Sequence, residues 1–345
     1  MTWSELDWSV LERLRQRFLG PATATGPYWE TPADLANYDF TYGERIGWKW
    51  DQVLRELRLR GWRPAGTTPI ALFDWGCGSG VAARRVIECF GVDAFESLTV
   101  WDHSPLACDF AAEAAQRTFP SLRVMQATPG FLASTEPIGL LVVSHVLNEL
   151  PAEALVALRA VVARAEAVLW VEPGTHAISR QLGALREEFS AAFQVIAPCT
   201  HAHACPILSP GQERHWCHFF APSPAGVFAD SDWVKFGQRA GIDLRSLPYC
   251  FFALDRRIPS IVPPADLSRV IGRVEHFKPY ARLLNCDAAG LVELELPKRA
   301  DPALFKQLER TRAPLVYRWE RDGAKLRGGQ PLGGAAADAT SAPES

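Results

Sequence analysis

The chain has 345 residues, 48% of them apolar, and a formal net charge of −3. That length suits one large α/β domain with smaller attachments, and so much apolar content buries a core without disulfides. The near-neutral charge gives no overall electrostatic case for nucleic-acid binding, and no apolar run reaches the about eighteen residues of a membrane span.

Residues 1–60 read as helices with interleaved tryptophan and arginine, in WSVLERLRQRF and IGWKWDQVLRELRLRGW. The amino terminus carries early acids and no apolar signal core, so a cleaved export signal is not expected and the default location is cytoplasmic. After the loop RPAGTTP, strand and helix alternate. The strand IALFDW, a glycine turn and the helix VAARRVIECF are followed by the strand SLTVWD and a helix through DFAAEAAQRTF. Then come RVMQA, GLLVVSHV, a helix from about Ala152, the strand AVLWVEP and a helix ending near Phe193. This alternation predicts a Rossmann-like parallel sheet covered by helices, over residues 61–255.

The rhythm breaks at residues 197–224, where Cys, His and Pro dominate without periodicity, and this reads as an inserted functional loop. The helix WVKFGQRAGI and the strand SLPYCFFALDRR resume the main domain. A Pro-rich linker, IPSIVPPADLS, leads to a small β-rich module over 256–320 with two strands expected around VEHFKPYARLLNC and GLVELELPK. From Arg256 to Arg327, basic residues outnumber acids 15 to 9, so this module could touch RNA phosphates or simply be a solvated surface. Residues 321–345 are poor in large apolar side chains and read as a disordered tail.

The strongest local signal is LFDWGCGSG, between a buried strand and a helix. A nucleotide-like cofactor needs the backbone to approach closely there, and Gly76, Gly78 and Gly80 remove the Cβ atoms that would block it. Asp74 precedes the turn, and Asp102 ends the next strand, where a carboxylate can accept from both ribose hydroxyls. A dinucleotide site would instead read G-x-G-x-x-G. With an acid two residues before its first glycine, this loop resembles the donor-binding loop of class I methyltransferases, which implies S-adenosylmethionine, with His103 and Ser144 as further donor-site residues. Ser144, His145 and Asn148 in SHVLNEL end strand four, where methyl acceptors sit. His145 or Asn148 could hold an acceptor or merely cap the following helix. No N-P-P-Y and no cysteine follows that strand, so the usual equipment for exocyclic amines or pyrimidine carbons is missing. The catalytic residues stay unassigned, although methyl transfer needs positioning more than a base.

The second signal is APCTHAHACPILSPGQERHWCHFF, residues 197–220. Cys199, Cys205 and Cys217 lie in a polar, proline-punctuated loop, unlike core thiols, and suggest a soft metal. A fourth ligand could be His201, His203, His215 or His218, giving a zinc Cys₃His site, or the remote Cys286, giving four thiolates for zinc or an iron–sulfur cluster. Cys89, Cys108 and Cys250 read as core, and Cys77 as a small residue in the donor turn.

Taken together, FDWGCGSG, VVSHVLNEL, LWVEPGT followed by Arg180 and Arg186, APCTHAHACP and HWCHF resemble the mitochondrial-type small-ribosomal-subunit assembly methyltransferase family, which has bacterial members. The resemblance covers roughly residues 70–220, and RVEHFKPYARLLNCDAAG is similar to that family's carboxy-terminal β segment. It implies a class I methyltransferase fold, a partner in the small ribosomal subunit or its rRNA, and no membrane or DNA partner. It also implies a [4Fe-4S] cluster on Cys199, Cys205, Cys217 and Cys286, the third at a different spacing. Fold does not settle activity. An assembly factor that keeps the donor pocket, and a small-molecule methyltransferase with structural zinc, are the alternatives.

Overall fold

A computed structural model describes residues 1–19, 29–64, 66, 68–257, 266–310 and 314–333. Most of the expected linker, residues 258–265, and residues 334–345 of the expected tail lie outside the described residues.

In chain order the elements are α1 (Trp8–Leu19), α2 (Pro32–Tyr38), α3 (Glu44–Leu59), β1 (Ile70–Trp75), α4 (Val81–Phe90), β2 (Phe95–Trp101), α5 (Pro105–Thr118), β3 (Arg123–Gln126), α6 (Pro129–Ala133), β4 (Ile138–Ser144), α7 (Ala152–Arg164), β5 (Ala165–Pro173) and α8 (His176–Phe189). They continue with β6 (Gln194–Ala197), β7 (Phe219–Ala221), α9 (Ser231–Ala240), β8 (Leu247–Asp255), β9 (Leu267–His276), β10 (Tyr280–Asp287), β11 (Gly290–Pro297), α10 (Pro302–Leu308), β12 (Val316–Asp322) and β13 (Lys325–Pro331). The chain divides into two compact units. The first takes residues 1–55, 63–172 and 222–247; the second takes 56–62, 173–221 and 248–345.

In the first unit, short apolar runs become central strands because both of their faces are covered. Leu140, Leu141, Val142 and Val143 of β4 are wholly buried, as are Val168, Leu169 and Trp170 of β5. The strands run parallel in the order β3-β2-β1-β4-β5. α4 packs on β1 and β4, and α5 on β2 and β3. The strand order reverses between β1 and β4, and ligands in such sheets bind outside the carboxyl ends at that reversal. The amino-terminal helices belong to this unit's core. Leu6 and Leu11 pack with Tyr42, Phe236 and Ala240, while Leu14 packs with Trp29, Leu35 and Ala107. Thr31 starts α2 with a capping box closed by Asp34, and Pro32 occupies the first turn. This short helix falls within the segment 1–60 expected to be helical, between its two tryptophan- and arginine-bearing stretches.

In the second unit, β6 pairs antiparallel with β8, and β7 lies on β8 as well. The loop between β6 and β7 carries the cysteine motif and begins with a cis Ala197–Pro198 bond. The carboxy-terminal module is a closed five-stranded barrel, ordered β10-β11-β13-β12-β9. Its core is Val270, Ala281, Leu283, Leu294, Leu296, Tyr317 and Leu326, plugged by Leu304, Phe305 and Leu308 of α10. Of the two strands expected from the sequence, GLVELELPK is β11, whereas VEHFKPYARLLNC is divided by a turn at residues 277–279 between the end of β9 and β10. Residues 321–331, read there as tail, complete β12 and form β13, because Leu326 fills the barrel and Gly329 lies under the Trp319 ring.

Candidate functional site

The glycine turn leaves β1 at Trp75, and its first two amides, of Gly76 and Cys77, both donate to Trp101 O at the end of β2. This ties the turn to the next strand. Gly78 follows with φ of +51°, and no atom lies within 4 Å of where a Cβ would stand. Its backbone therefore faces open space that only a residue without a side chain leaves clear. At Gly80 a Cβ would meet Ala111 Cβ at 2.9 Å, so this glycine serves the packing of α4 against α5.

Asp102 holds the turn from the other side. Its Oδ2 accepts from Gly78 N at 3.0 Å, and its Oδ1 accepts from Ser104 N at 2.9 Å. His103 Nδ1 stands 3.1 Å from Oδ1, and that hydrogen bond raises the imidazole pKa. A carboxylate offers about four lone-pair positions, so Asp102 keeps acceptor capacity after making these bonds. Asp74, one residue before the strand ends, is wholly buried, and neither carboxyl oxygen meets a donor. Burial pushes its carboxyl up to about 7. The site thus combines an anchored acceptor, an open backbone turn and an orphaned buried carboxyl, which fits a cofactor bearing ribose hydroxyls and an ammonium group. Cys77 is buried behind the turn and its thiol is pushed well up by burial.

The end of β4 carries a polar chain whose direction is fixed by its donors. Lys49 Nζ lies 3.0 Å from His145 Nε2, and an ammonium only donates, so Nε2 accepts. The imidazole hydrogen then sits on Nδ1 and donates to Ser144 Oγ at 3.1 Å. Trp50 Nε1 also donates to Ser144 Oγ, at 3.0 Å. With both bonds accepted, the Ser144 hydroxyl hydrogen is directed away from this chain of groups. Burial and the Lys49 charge hold His145 well below the usual imidazole range, which keeps it neutral. His145 sits at φ of +57°, the sole described residue other than glycine with positive φ. Its place in this chain makes it a support for Ser144 and not a free base. Asn148 is exposed.

Two residues here escape a reading of the sequence. Lys49 is one, because nothing local links α3 to β4. The other is Glu172, wholly buried near the end of β5. Its Oε1 accepts from Trp170 Nε1 at 2.7 Å, Val146 N at 3.1 Å and Leu147 N at 3.2 Å, so it shapes the turn after β4. Its Oε2 has no partner, and burial pushes the carboxyl up to about 7. An acid inside the otherwise apolar AVLWVEP was the available signal.

In the second unit, arginines organise the cysteine loop. Arg60 donates to the carbonyls of Ile196, Pro198 and Cys199, and Arg269 to that of Pro198. Arg186 donates to the carbonyls of His201 and His203 and pairs with Glu187, which accepts from Cys205 N at 3.1 Å. Arg180 gathers the carbonyls of Ile207, Gln212 and His215. A planar, permanently charged fork suits a loop with few backbone bonds of its own.

Within this frame Cys205 and Cys217 pack against Cys286 of β10, together with Ile207 and Ile271. Cys199 is near enough to act electrostatically on the other three, and all four are free thiols. Burial, reinforced by the neighbouring sulfurs, raises the thiols of Cys205, Cys217 and Cys286. His201 is buried as well, with Nε2 3.6 Å from Cys286 Sγ and Nδ1 unpartnered. His218 is engaged with Trp216 O, and His215 with Arg214. Among the described residues, no group of three or more His, Cys, Asp or Glu side chains stands in a metal-holding arrangement. The donor set itself is soft, and thiols that repel one another as thiolates are relieved by a shared cation. Cys108 and Cys250 are buried and Cys89 half-buried, in α5, β8 and α4.

Residues 45–225, just over half of the chain, match the protein family described as mitochondrial small ribosomal subunit Rsm22. The chain belongs to the Rsm22 family. The Rsm22 match spans the glycine turn, Asp102, the end of β4 and Cys199, Cys205 and Cys217, and stops before Cys286. No curated protein matches this Rsm22 chain in sequence. Among solved structures it is similar to the magnesium protoporphyrin IX methyltransferase of Synechocystis with bound S-adenosylmethionine, at 12% identity, TM-score 0.36, over 73% of this chain and 98% of that one. It is also similar to a methyltransferase from Aquifex aeolicus (14%, TM-score 0.35, covering 48% and 90%). A third is TrmK of M. capricolum with S-adenosylhomocysteine (8%, TM-score 0.34, covering 60% and 67%). No described helix is long and apolar enough to cross a membrane.

Proposed function

We propose that this chain is an S-adenosylmethionine-dependent methyltransferase acting on the rRNA of the small ribosomal subunit, with a [4Fe-4S] cluster on Cys199, Cys205, Cys217 and Cys286. The observation that carries the donor half is the bond from Gly78 N to Asp102, which joins an open backbone turn to a carboxylate with acceptor capacity left. Asp74, Gly76, Gly78, Gly80, Asp102, His103 and Ser144 would hold the donor, which supplies an electrophilic methyl group. The chain's own part is then to orient: Asp102 accepts from hydroxyls, and Ser144, fixed by His145 and Trp50, donates a hydrogen bond. Membership of the Rsm22 family supports the ribosomal partner. The packing of Cys205 and Cys217 of the loop against Cys286 of the barrel strand, with Cys199 near enough to act on them electrostatically, supports the cluster, with His201 as the alternative ligand in a zinc site.

The test is transfer of labelled methyl groups into isolated small subunits by wild type and by Asp102→Ala. Wild type is expected to label rRNA. The variant is expected to lose donor affinity by about tenfold to a hundredfold, the range for a hydrogen bond to a charged group. Equal calorimetric affinity for donor in both proteins would remove Asp102 from the site. A second reading, a binding factor that keeps the pocket, is favoured by the engagement of His145 with Lys49 and Ser144, which leaves no base at the end of β4. Donor binding and subunit binding without methyl incorporation would select it.

A further inference from the structure

The carboxy-terminal barrel closes in the order β9-β10-β11-β13-β12-β9. Among its five strands only β11 and β13 pair in parallel, and α10 is inserted between the third strand and the fourth. This is the Greek-key plan of barrels that take oligonucleotides or oligosaccharides on the face of their second and third strands and the loops beside it. Here part of that face is already covered, because Leu284, Cys286 and Leu291 pack under Ile207, Cys205 and Cys217 of the cysteine loop. The end of the face at the β9–β10 turn stays exposed.

That turn is Phe277-Lys278-Pro279-Tyr280, closed by the bond from Phe277 N to Tyr280 O at 2.9 Å. Phe277 is 40% exposed, one of few large apolar side chains on the described surface. Its ring stacks on Tyr280 with centroids 4.8 Å apart and planes at 24°, and the Arg282 guanidinium lies 5.4 Å from its centroid. Lys298 N donates to Pro279 O, which brings Lys298 and Arg299 beside the turn. Lys278, Lys298 and Arg299 are exposed. Residues 277–282 and 297–300 contain no acid; of the carboxylates around them, Glu275 is paired with Arg282 at 2.6 Å, Glu295 lies opposite Arg282 across the strand pair with Glu293 acting on it too, and Asp301 follows Ala300.

A lone exposed ring held rigid by a second ring, and bordered by cations, suits stacking of a base with phosphates on either side. A protein or membrane partner would need a broader apolar patch than one phenylalanine. A duplex keeps its base faces stacked and offers none to the ring. We propose that the Phe277–Tyr280 turn is a stacking platform for unpaired nucleotides, with Lys278, Lys298 and Arg299 on the flanking phosphates. That the strand is RNA rests on the ribosomal reading above.

The experiment is fluorescence anisotropy of the full chain with a labelled, unstructured single-stranded RNA of about a dozen nucleotides, a length within the usual site sizes. Phe277→Ala is expected to weaken binding by about tenfold and Phe277→Trp to retain it. Lys278→Ala with Lys298→Ala should lower the slope of log affinity against log salt by about 1.4, at about 0.7 per phosphate on single strands. Calorimetric affinity for S-adenosylmethionine should be unchanged in all of them. Wild-type affinity in both Phe277→Ala and the lysine variant, or equally tight binding of a duplex, would overturn the platform and leave the ribosomal reading standing. No RNA binding by a wild-type protein that still binds S-adenosylmethionine would overturn both.

Discussion

Glu172 is the acid whose placement determines the turn after β4, since three N–H groups from Val146, Leu147 and Trp170 converge on one of its oxygens. Burial lifts its carboxyl from the ordinary 4.5 to about 7, and Asp74 is lifted to about 7 from 3.8. An acid raised in this way binds its proton more tightly folded than unfolded. Its stabilising effect is complete below the unfolded value and is lost as pH climbs through about 7. The thermal midpoint of wild type should therefore fall between about pH 5 and pH 8, and Glu172→Gln, which keeps an acceptor for the three N–H groups, should fall less. Parallel slopes in a pH series of melting curves would exclude Glu172 as a source. Asp74, Gly78 and Asp102 were legible because one strand, one turn and the next strand's end place them by short-range pattern alone. Lys49 meets His145 only through tertiary packing across 96 positions, which no local pattern encodes.

Among elements, the alternating helices and strands of the first unit were legible because continuous apolar runs admit few other placements. The barrel was only half legible. β12 reads as alternating residues in VYRWERD, but β13 offers a single buried apolar side chain, Leu326, among glycines. Those glycines are required: a Cβ at Gly329 would stand 2.3 Å from Trp319 Cε3. A glycine-rich sequence packed under a tryptophan looks like a tail until its neighbour is known. The cysteine loop depends on a different device, arginine forks in place of a ladder. Arg269 is 2% exposed, bonds Glu56 at 2.6 Å and Pro198 O at 3.0 Å, and lies 4.3 Å over the Phe219 ring. Arg269→Ala leaves Glu56 with Arg60 as partner and should destabilise by about 3 kcal/mol. Urea unfolding measures the loss, and maleimide should label Cys217 faster in the folded variant. Unchanged unfolding and labelling would mean the loop is held without it.

At the scale of the molecule, the family match covers the glycine turn and the cysteine loop, and Cys286 packs on that loop from beyond the matched residues. If the four sulfurs hold the proposed cluster, anaerobically purified protein should be brown, with about four iron and four sulfide per chain. Stripping the metal with a chelator should lower the melting temperature and open all four thiols to alkylation, because metal binding and ordering of the loop are coupled. Cys286→Ser should reproduce that state without chelation. Colourless, zinc-loaded protein would replace the cluster with the Cys₃His reading, and a metal-free protein of full stability would remove both. The iron was never in the spacing of the cysteines, which suits zinc equally; it entered through family resemblance.

Neither compact unit is a continuous stretch of chain: the first is finished only when residues 222–247 arrive, and the second begins with residues 56–62. During synthesis the early helices must therefore wait for α9, and the last turn of α3 must wait for the barrel. No single cut yields two pieces that each retain all the parts of one unit. In synthesis the first unit closes with residues 222–247, while the second still lacks its barrel strands.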